Sequence, residues 1–378
     1  MPLSIYIHWP FCQSKCPYCD FNSHVRASVD QEEWTKAYIK SLNYWGQKLP
    51  NQTIKTIFFG GGTPSLMSEH TVENILETIF KLWSCQSEIE ISLEANPTSV
   101  EMQKFKAFQK LGVNRLSMGV QALNDKDLKL LGRLHTAQEA KNAFDVASGI
   151  FEKVSFDLIY GRQYQSLKSW ELELSEAIKM SVGHLSLYQL TIEENTRFGD
   201  LLSKGRLAGL PNDTISTEFY DLTNQVCEKE RLSAYEISNY AKKGEECQHN
   251  LNYWRGGPFL GIGPGAHGRI NIKGKRYQTE APAKPEIWLN GLKNHSFENF
   301  TCQLISNLEQ AEEYVIMALR LKEGFDLRQY FKFTKQNLKK NKLDKLLSEG
   351  LIQIDGNKLI TTKDGKLLTN FIIKELLC

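Results

Sequence analysis

The chain has 378 residues, with 46 lysines and arginines against 44 aspartates and glutamates, for a formal net charge of +2. So even a balance argues against nucleic acid as the main partner, and no apolar run approaches the ~18 residues of a membrane span. The amino terminus lacks a basic region followed by an apolar one, so a cytoplasmic location is expected.

From residue 3 to about residue 190, short β-rich runs alternate with amphipathic helical stretches. Strands are expected at Leu3–His8, Ile54–Phe59, Glu88–Leu93, Arg115–Gly119, Val154–Tyr160 and His184–Leu190. Asp30-x-x-Glu33, Thr98-x-x-Glu101 and Thr136-x-x-Glu139 match a capping box, and Ser68 and Ser166 suit two further helix starts. Six β/α units in series imply a parallel sheet with right-handed crossovers. The strands mix polar with apolar residues, as barrel strands with polar side chains aimed inward do. The glycine fingerprint of a doubly wound dinucleotide fold is missing after the first strand.

Beyond about residue 192 the pattern loosens. A helix from about Asp213 to Glu230 leads to an extended run, Ala234–Tyr240, then a glycine-rich loop around Gly256–Gly268 and a hairpin over Arg269–Gln278 turning at Lys273-Gly274. In the last part, Asn307-x-x-Gln310 opens a helix running to Leu321, followed by helices at Leu327–Phe331 and Lys335–Ser348. A β-hairpin over Leu351–Thr361 turning at Asp355-Gly356 and a final helix complete a winged-helix-like α+β pattern. The expected division is 1–195, 196–300 and 301–378. Lysines gather at Lys332, Lys335, Lys339, Lys340, Lys342 and Lys345, but Asp344 and Glu349 dilute them, and a solvated helix face explains them better than a DNA contact.

The chemistry begins at Cys12, Cys16 and Cys19, spaced C-x3-C-x2-C just after the first strand. Three thiolates on one tight loop suit three irons of a [4Fe–4S] cube and leave the fourth iron open, whereas electron-transfer clusters usually take four cysteines. A zinc site would need a fourth ligand, for which His8 or His24 is near in sequence. A disulfide framework is the weakest reading, because Cys85, Cys227, Cys247, Cys302 and Cys378 show no framework spacing. Gly60-Gly61-Gly62-Thr63-Pro64 follows the second strand, where side-chain-free backbone lets a ligand approach closely. Glu94, Gln121 and Asp157 fall at or near the C-terminal ends of later strands, and Arg133 follows the fourth, all on the rim that carries active sites in β/α barrels.

The cysteine loop, with an aromatic residue before its third cysteine, and the Gly-Gly-Gly-Thr-Pro run resemble those of radical S-adenosylmethionine (SAM) enzymes. Tyr6-Ile7-His8-Trp9-Pro10-Phe11-Cys12, Met118-Gly119-Val120-Gln121 and Phe156-Asp157-Leu158-Ile159-Tyr160-Gly161 resemble oxygen-independent coproporphyrinogen III oxidase. The likeness covers most of residues 3–270 and the C-terminal domain. It implies a partial (β/α)6 barrel at 1–195, a barrel-covering extension at 196–300 and a winged-helix-like domain at 301–378. It also implies a [4Fe–4S] cluster on Cys12, Cys16 and Cys19 with exchangeable SAM on the open iron. Gly62 and Thr63 would contact the methionine end of SAM, Glu94 its ammonium, Arg133 its carboxylate, and Gln121 and Asp157 its ribose, with Tyr6 packed alongside. In such enzymes, one-electron reduction cleaves SAM to methionine and a 5′-deoxyadenosyl radical.

The chain departs from the oxidase pattern at Phe21, where the oxidase has a fourth cysteine, and in the short stretch before its cysteine loop. His249-Asn250-Leu251-Asn252-Tyr253-Trp254 resembles the H-N-x-x-Y-W signature of HemW-type heme chaperones, relatives of the oxidase. An imidazole can ligate heme iron, and Tyr253 and Trp254 offer flat faces to a macrocycle, while Cys247 is a competing ligand. The same loop reads equally as an aromatic-rich cover over the barrel. Cys16-Pro17 resembles a heme-regulatory dipeptide, although the cluster has first claim on Cys16. The resemblance implies heme binding and delivery to an acceptor protein, which could be membrane-associated. The alternative it leaves open is an oxidase or another radical-SAM enzyme acting on a tetrapyrrole.

Overall fold

A computed structural model describes residues 2–294, 296 and 300–377. Strands β1 (Leu3–Trp9), β2 (Thr53–Gly61), β3 (Ser84–Ala95), β4 (Arg115–Gln121), β5 (Lys153–Tyr160) and β6 (His184–Gln189) lie side by side in chain order. All five pairings among them are parallel. The sheet is not closed on itself, consistent with a partial barrel.

Helices α1 (Gln31–Lys48), α2 (Glu69–Leu82), α3 (Ala137–Ser148) and α4 (Leu167–Met180) make crossovers of this sheet. Their starts follow the sequence signals. Asp30, Ser68, Thr136 and Ser166 each accept a hydrogen bond from the third backbone N–H of the helix they open. Thr98 makes no side-chain bond to its helix's backbone; its hydroxyl donates to Glu101 Oε1 at 3.3 Å, and the buried Glu101 also accepts from Ser65 and the Asn96 amide. The core between sheet and helices is aromatic on one side: Trp9, Phe11, Trp34 and Tyr38 pack together, with Trp34 stacked on Trp288 at 5.4 Å.

The extension after β6 joins the sheet at both ends. Helix α5 (Asp213–Lys229) precedes a hairpin of β7 (Ser233–Ala234) and β8 (Asn239–Ala241), and β8 pairs antiparallel with β6. The continuous extended run expected at Ala234–Tyr240 is thus two short strands around a turn. Helix α6 (Gln248–Trp254) then leads into β9 (Phe259–Ile262), which pairs parallel with β1. β10 (His267–Ile272), β11 (Lys275–Glu280) and β12 (Thr301–Leu304) continue antiparallel from it. Sequence reading takes β9 for a glycine-rich loop. Gly261 is there because a Cβ at that point would stand 2.0 Å from the His267 carbonyl oxygen, so the close pass of two backbones admits only glycine.

The C-terminal domain packs α7 (Asn307–Ala318), α8 (Leu327–Thr334), α9 (Lys340–Ser348), α10 (Lys363–Leu367) and α11 (Thr369–Leu377) around a small sheet of β13 (Phe325–Asp326), β14 (Ile352–Asp355) and β15 (Lys358–Thr361). The cap of α7 is Ser306 with Glu309, one residue earlier than expected. Lys335 takes a left-handed φ of 57° and ends α8, so the third helix starts only at Lys340. Asp355 pairs with Lys358, which moves the hairpin turn to Gly356-Asn357. Leu251 and Trp254 of α6 pack into this domain's own core, so α6 lies between the barrel and the C-terminal domain.

Candidate functional site

The cysteine loop follows β1 at its C-terminal end, and the glycine run follows β2 at the same end. Backbone bonds tie the two together: Gly62 N–H donates to Trp9 C=O at 2.7 Å and Thr63 N–H to Phe11 C=O at 2.9 Å. A Cβ on Gly62 would lie 2.6 Å from the Phe11 carbonyl oxygen and 3.0 Å from the Cys12 sulfur, so glycine is what lets the strand end press against the cysteine loop.

Between them opens a cavity of about 450 Å³ whose wall includes Cys12, Cys16, Cys19, Gly62 and Thr63, and Glu94, Gln121, Arg133 and Asp157 opposite. A hydrogen-bonded circuit crosses it. Thr63 Oγ1 contacts Cys12 Sγ at 3.5 Å and accepts from Asn96 Nδ2 at 3.1 Å. Arg133 donates to Asn96 Oδ1 at 2.6 Å, to the Gly119 carbonyl at 2.7 Å and to Cys16 Sγ at 3.3 Å. Asn96 is a site residue that sequence reading missed. Its only signal was its place two residues after Glu94.

β4 carries a bulge: Met118 pairs with Phe156 and Gln121 with Leu158, three residues against two. Gln121 takes φ 75° at this point, a costly conformation for a non-glycine residue. The bulge lies at the cavity rim, where Gln121 and Gly119 both line the wall. Burial, and secondly the neighbouring Asp157, push the Glu94 carboxyl up to about 8, against the Gly61 N–H that favours its charged form. Burial likewise raises Asp157 to about 6, opposed by Ser186, Arg133 and Ser117.

These residues fit a cube better than a single ion. Each thiol faces a different neighbour: Cys12 has Thr63, Cys16 has Arg133, and Cys19 has Ser23 at 3.9 Å. Among the described residues no three His, Cys, Asp or Glu side chains gather closely enough for one metal ion. Neither histidine considered for zinc joins the thiols. His8 is held between Tyr6 Oη at 3.0 Å and the Asn22 carbonyl at 2.9 Å, and His24 contacts Asn22 Oδ1. The buried Arg133 Nε has no partner among the described residues, so the cavity keeps an unanswered donor suited to a carboxylate. Cys12, Cys16, Cys19, Cys85, Cys227, Cys247 and Cys302 are all free thiols.

Tyr6, expected beside the cofactor, does not line the cavity. Its ring packs on Phe58, 6.3 Å away, and its hydroxyl is turned to His8. The H-N-x-x-Y-W helix is also away from the cavity, near the opposite strand ends. His249 is buried, with Nδ1 2.7 Å from Thr56 Oγ1 and Nε2 2.8 Å from Tyr253 Oη, and its ring stacks on Phe58 at 5.0 Å. Burial pushes it down to about 3, so it is a neutral internal bridge in this conformation. The Trp254 indole N–H is buried without a partner among the described residues. Cys247 is buried against Glu90 at 3.5 Å, its thiol pushed up to about 12 by burial first and Glu90 second, which makes it a poor ligand.

A parallel β/α sheet with a three-cysteine loop and a glycine run on one rim defines the radical SAM class, and residues 6–172 match the Radical SAM superfamily. Residues 305–368 match the HemN C-terminal domain. The chain is 35% identical to "Heme chaperone HemW" of Escherichia coli (strain K12), over 99% of this chain and 97% of the relative. It is 35% identical to the protein of the same name in Bacillus subtilis (strain 168), with 97% of each covered. It is 33% identical to mouse "Radical S-adenosyl methionine domain-containing protein 1, mitochondrial", over 99% of this chain and 87% of that one. Among solved structures, coproporphyrinogen III oxidase (HemN) from E. coli superposes with a TM-score of 0.82 at 18% identity, covering 99% of this chain and 90% of that one. The chain belongs to the radical SAM superfamily and, within it, to the HemW family. Membership implies a [4Fe–4S] cluster and SAM. No helix among the described residues is long and apolar enough to cross a membrane.

Proposed function

We propose that this chain is a heme chaperone that binds heme and hands it to an acceptor protein, and that it carries a [4Fe–4S] cluster with exchangeable SAM. The observation that carries this reading is full-length likeness, at 35% identity, to proteins named heme chaperone HemW. Phe21 supports it: at the oxidase's fourth-cysteine position, this chain has a phenyl ring 60% exposed at the cavity mouth.

Cys12, Cys16 and Cys19 hold the cluster in this proposal. Gly62 and Thr63 face the methionine end of SAM, Glu94 its ammonium, Arg133 through its free Nε the carboxylate, and Gln121 and Asp157 the ribose. His249, Tyr253 and Trp254 form the heme motif. Axial ligation by His249 requires its bridge between Thr56 and Tyr253 to open, so heme uptake is coupled to movement of α6. The acceptor is a hemoprotein, and the transfer takes place in the cytoplasm.

Heme titration of the purified protein tests the reading. A saturable absorption change with one heme per chain is expected, weakened about tenfold or more in His249→Ala. Absence of saturation in the wild type defeats it, as does vinyl-group formation from coproporphyrinogen under reducing anaerobic conditions.

The SAM assignment has a pH signature. An ammonium favours the ionised form of Glu94, whose carboxyl sits at about 8 before binding. Affinity for SAM therefore strengthens as pH rises from 6 towards 8, by up to about tenfold per pH unit for one linked proton, and declines above about 8 as the α-ammonium itself loses its proton. Calorimetry at several pH values measures it. In Glu94→Gln the slope is flat and binding weaker, and a slope that persists in that variant would remove Glu94 from the ammonium site.

A further inference from the structure

A second cavity, of about 420 Å³, lies in the crease between the barrel edge and the C-terminal domain. Its barrel wall includes Gln189 from the end of β6, Tyr220 from α5, and Glu236 and Ile237 from the β7–β8 turn. The opposite wall includes Arg320 and Lys366. Gln189 also lines the cysteine cavity, so the two spaces adjoin.

The crease concentrates unanswered positive charge. Among the described residues Arg320 bonds only neutral groups, the Ile316 carbonyl and Asn370 Oδ1 at 2.9 Å. Lys366 sits half-buried four residues before Asn370, where the like charge of Lys322 opposes its protonation and the charge of Glu228 favours it less strongly. Neither cation has an ion-pair partner among the described residues. Burial lowers the proton affinity of both, the mark of cations held partly out of water without compensation. Glu236 does not supply that compensation. It accepts from Ser238 N–H at 2.9 Å and from the side chains of Asn239 and Asn250. Asp213 also faces the crease but is exposed at the start of α5.

Beside the cations, apolar side chains stand open. Ile237 is 40% and Leu367 48% exposed, and both line the cavity. Cations next to open apolar surface suit a ligand that is flat and apolar at one edge and anionic at the other. Asn250 belongs to the H-N-x-x-Y-W helix, so one hydrogen-bonded wall is common to that motif and the crease.

The geometry points to this crease as the seat of the heme propionates, with Arg320 and Lys366 pairing the carboxylates and Ile237 and Leu367 against the macrocycle edge. The assignment rests on the heme-binding reading above and adds to it the place where the anionic edge is held.

Paired titrations test it, using heme and heme dimethyl ester, whose propionates are masked. The wild type binds heme at least tenfold more tightly than the ester. In an Arg320→Gln/Lys366→Gln variant that keeps the wild-type circular dichroism, heme falls to the ester's affinity and the ester is unaffected. Lys366→Arg, which keeps the charge, retains the preference for heme. Equal wild-type affinity for the two ligands defeats the seat while leaving heme binding intact, and so does a double variant that loses both ligands equally. A wild type that takes up neither ligand defeats the heme reading and the seat with it. If inorganic phosphate raises the melting temperature of the wild type but not of the double variant, and the ester binds as well as heme, the crease serves a phosphate and the propionate assignment falls.

Discussion

Cys16→Ala leaves the chain unable to hold its cluster. After anaerobic reconstitution the wild type carries about four irons per chain and the variant close to none, read by iron and sulfide assay. The physical reason is coordination number. In the proposed site three thiolates bind three corners, and with two the cube would lose a corner that neither His8 nor His24 is free to take, both being bonded elsewhere. SAM titration heat disappears with the iron, since the open corner is lost. Cys247→Ala is the matched control. That thiol is buried against Glu90 far from the loop, and its removal leaves the iron content unchanged. Full iron loading of Cys16→Ala, or stoichiometric zinc in the wild type, would overturn the assignment.

Glu173→Ala lowers the unfolding free energy by about 3–5 kcal/mol, measured by urea denaturation. Arg162 and Glu173 are both buried and form an ion pair, and Glu173 also accepts from the Leu123 amide at 2.6 Å. Arg162 in turn bonds Asp127 at 2.7 Å and the carbonyls of Ile159 at 2.9 Å and Gln121 at 3.2 Å. Removing Glu173 leaves the buried guanidinium with Asp127 as its one carboxylate among the described residues and frees the buried Leu123 amide, and both changes cost stability. The pair holds the carbonyl of Gln121 at the cavity rim, so Glu173→Ala also weakens SAM binding although it touches no ligand. A stability loss under about 1 kcal/mol would show that the rim does not depend on this pair.

Much of the cysteine site could be read in the sequence because it is local. Cys12, Cys16 and Cys19 sit within eight residues, and Gly60–Gly62 follows a strand whose end is marked by the glycines themselves. Strand-end polar residues such as Glu94 and Asp157 were legible for the same reason, since the β/α alternation dictates which end of every strand faces the rim. Asn96 was not legible. It joins the site because Thr63, 33 residues earlier, and Arg133, 37 residues later, both bond it, at 3.1 and 2.6 Å. The H-N-x-x-Y-W helix shows the opposite failure. Its residues stand out in the sequence, but their side chains could not be placed from it. The structure buries His249 as a bridge between Thr56 and Tyr253, and puts the motif between barrel and C-terminal domain rather than at the cavity.

By itself the sequence determined the parallel β/α core, most of its helix starts and the thiol trio, because periodicity, capping and short spacings act over a few residues. Tertiary structure alone decided that β9 returns to pair with β1, that Arg162 answers Glu173, and that Arg320 and Lys366 meet the barrel edge across a crease. Each of these joins side chains or backbones supplied by separate segments. Which segments meet depends on how the whole chain buries its apolar surface, and no local pattern carries that information.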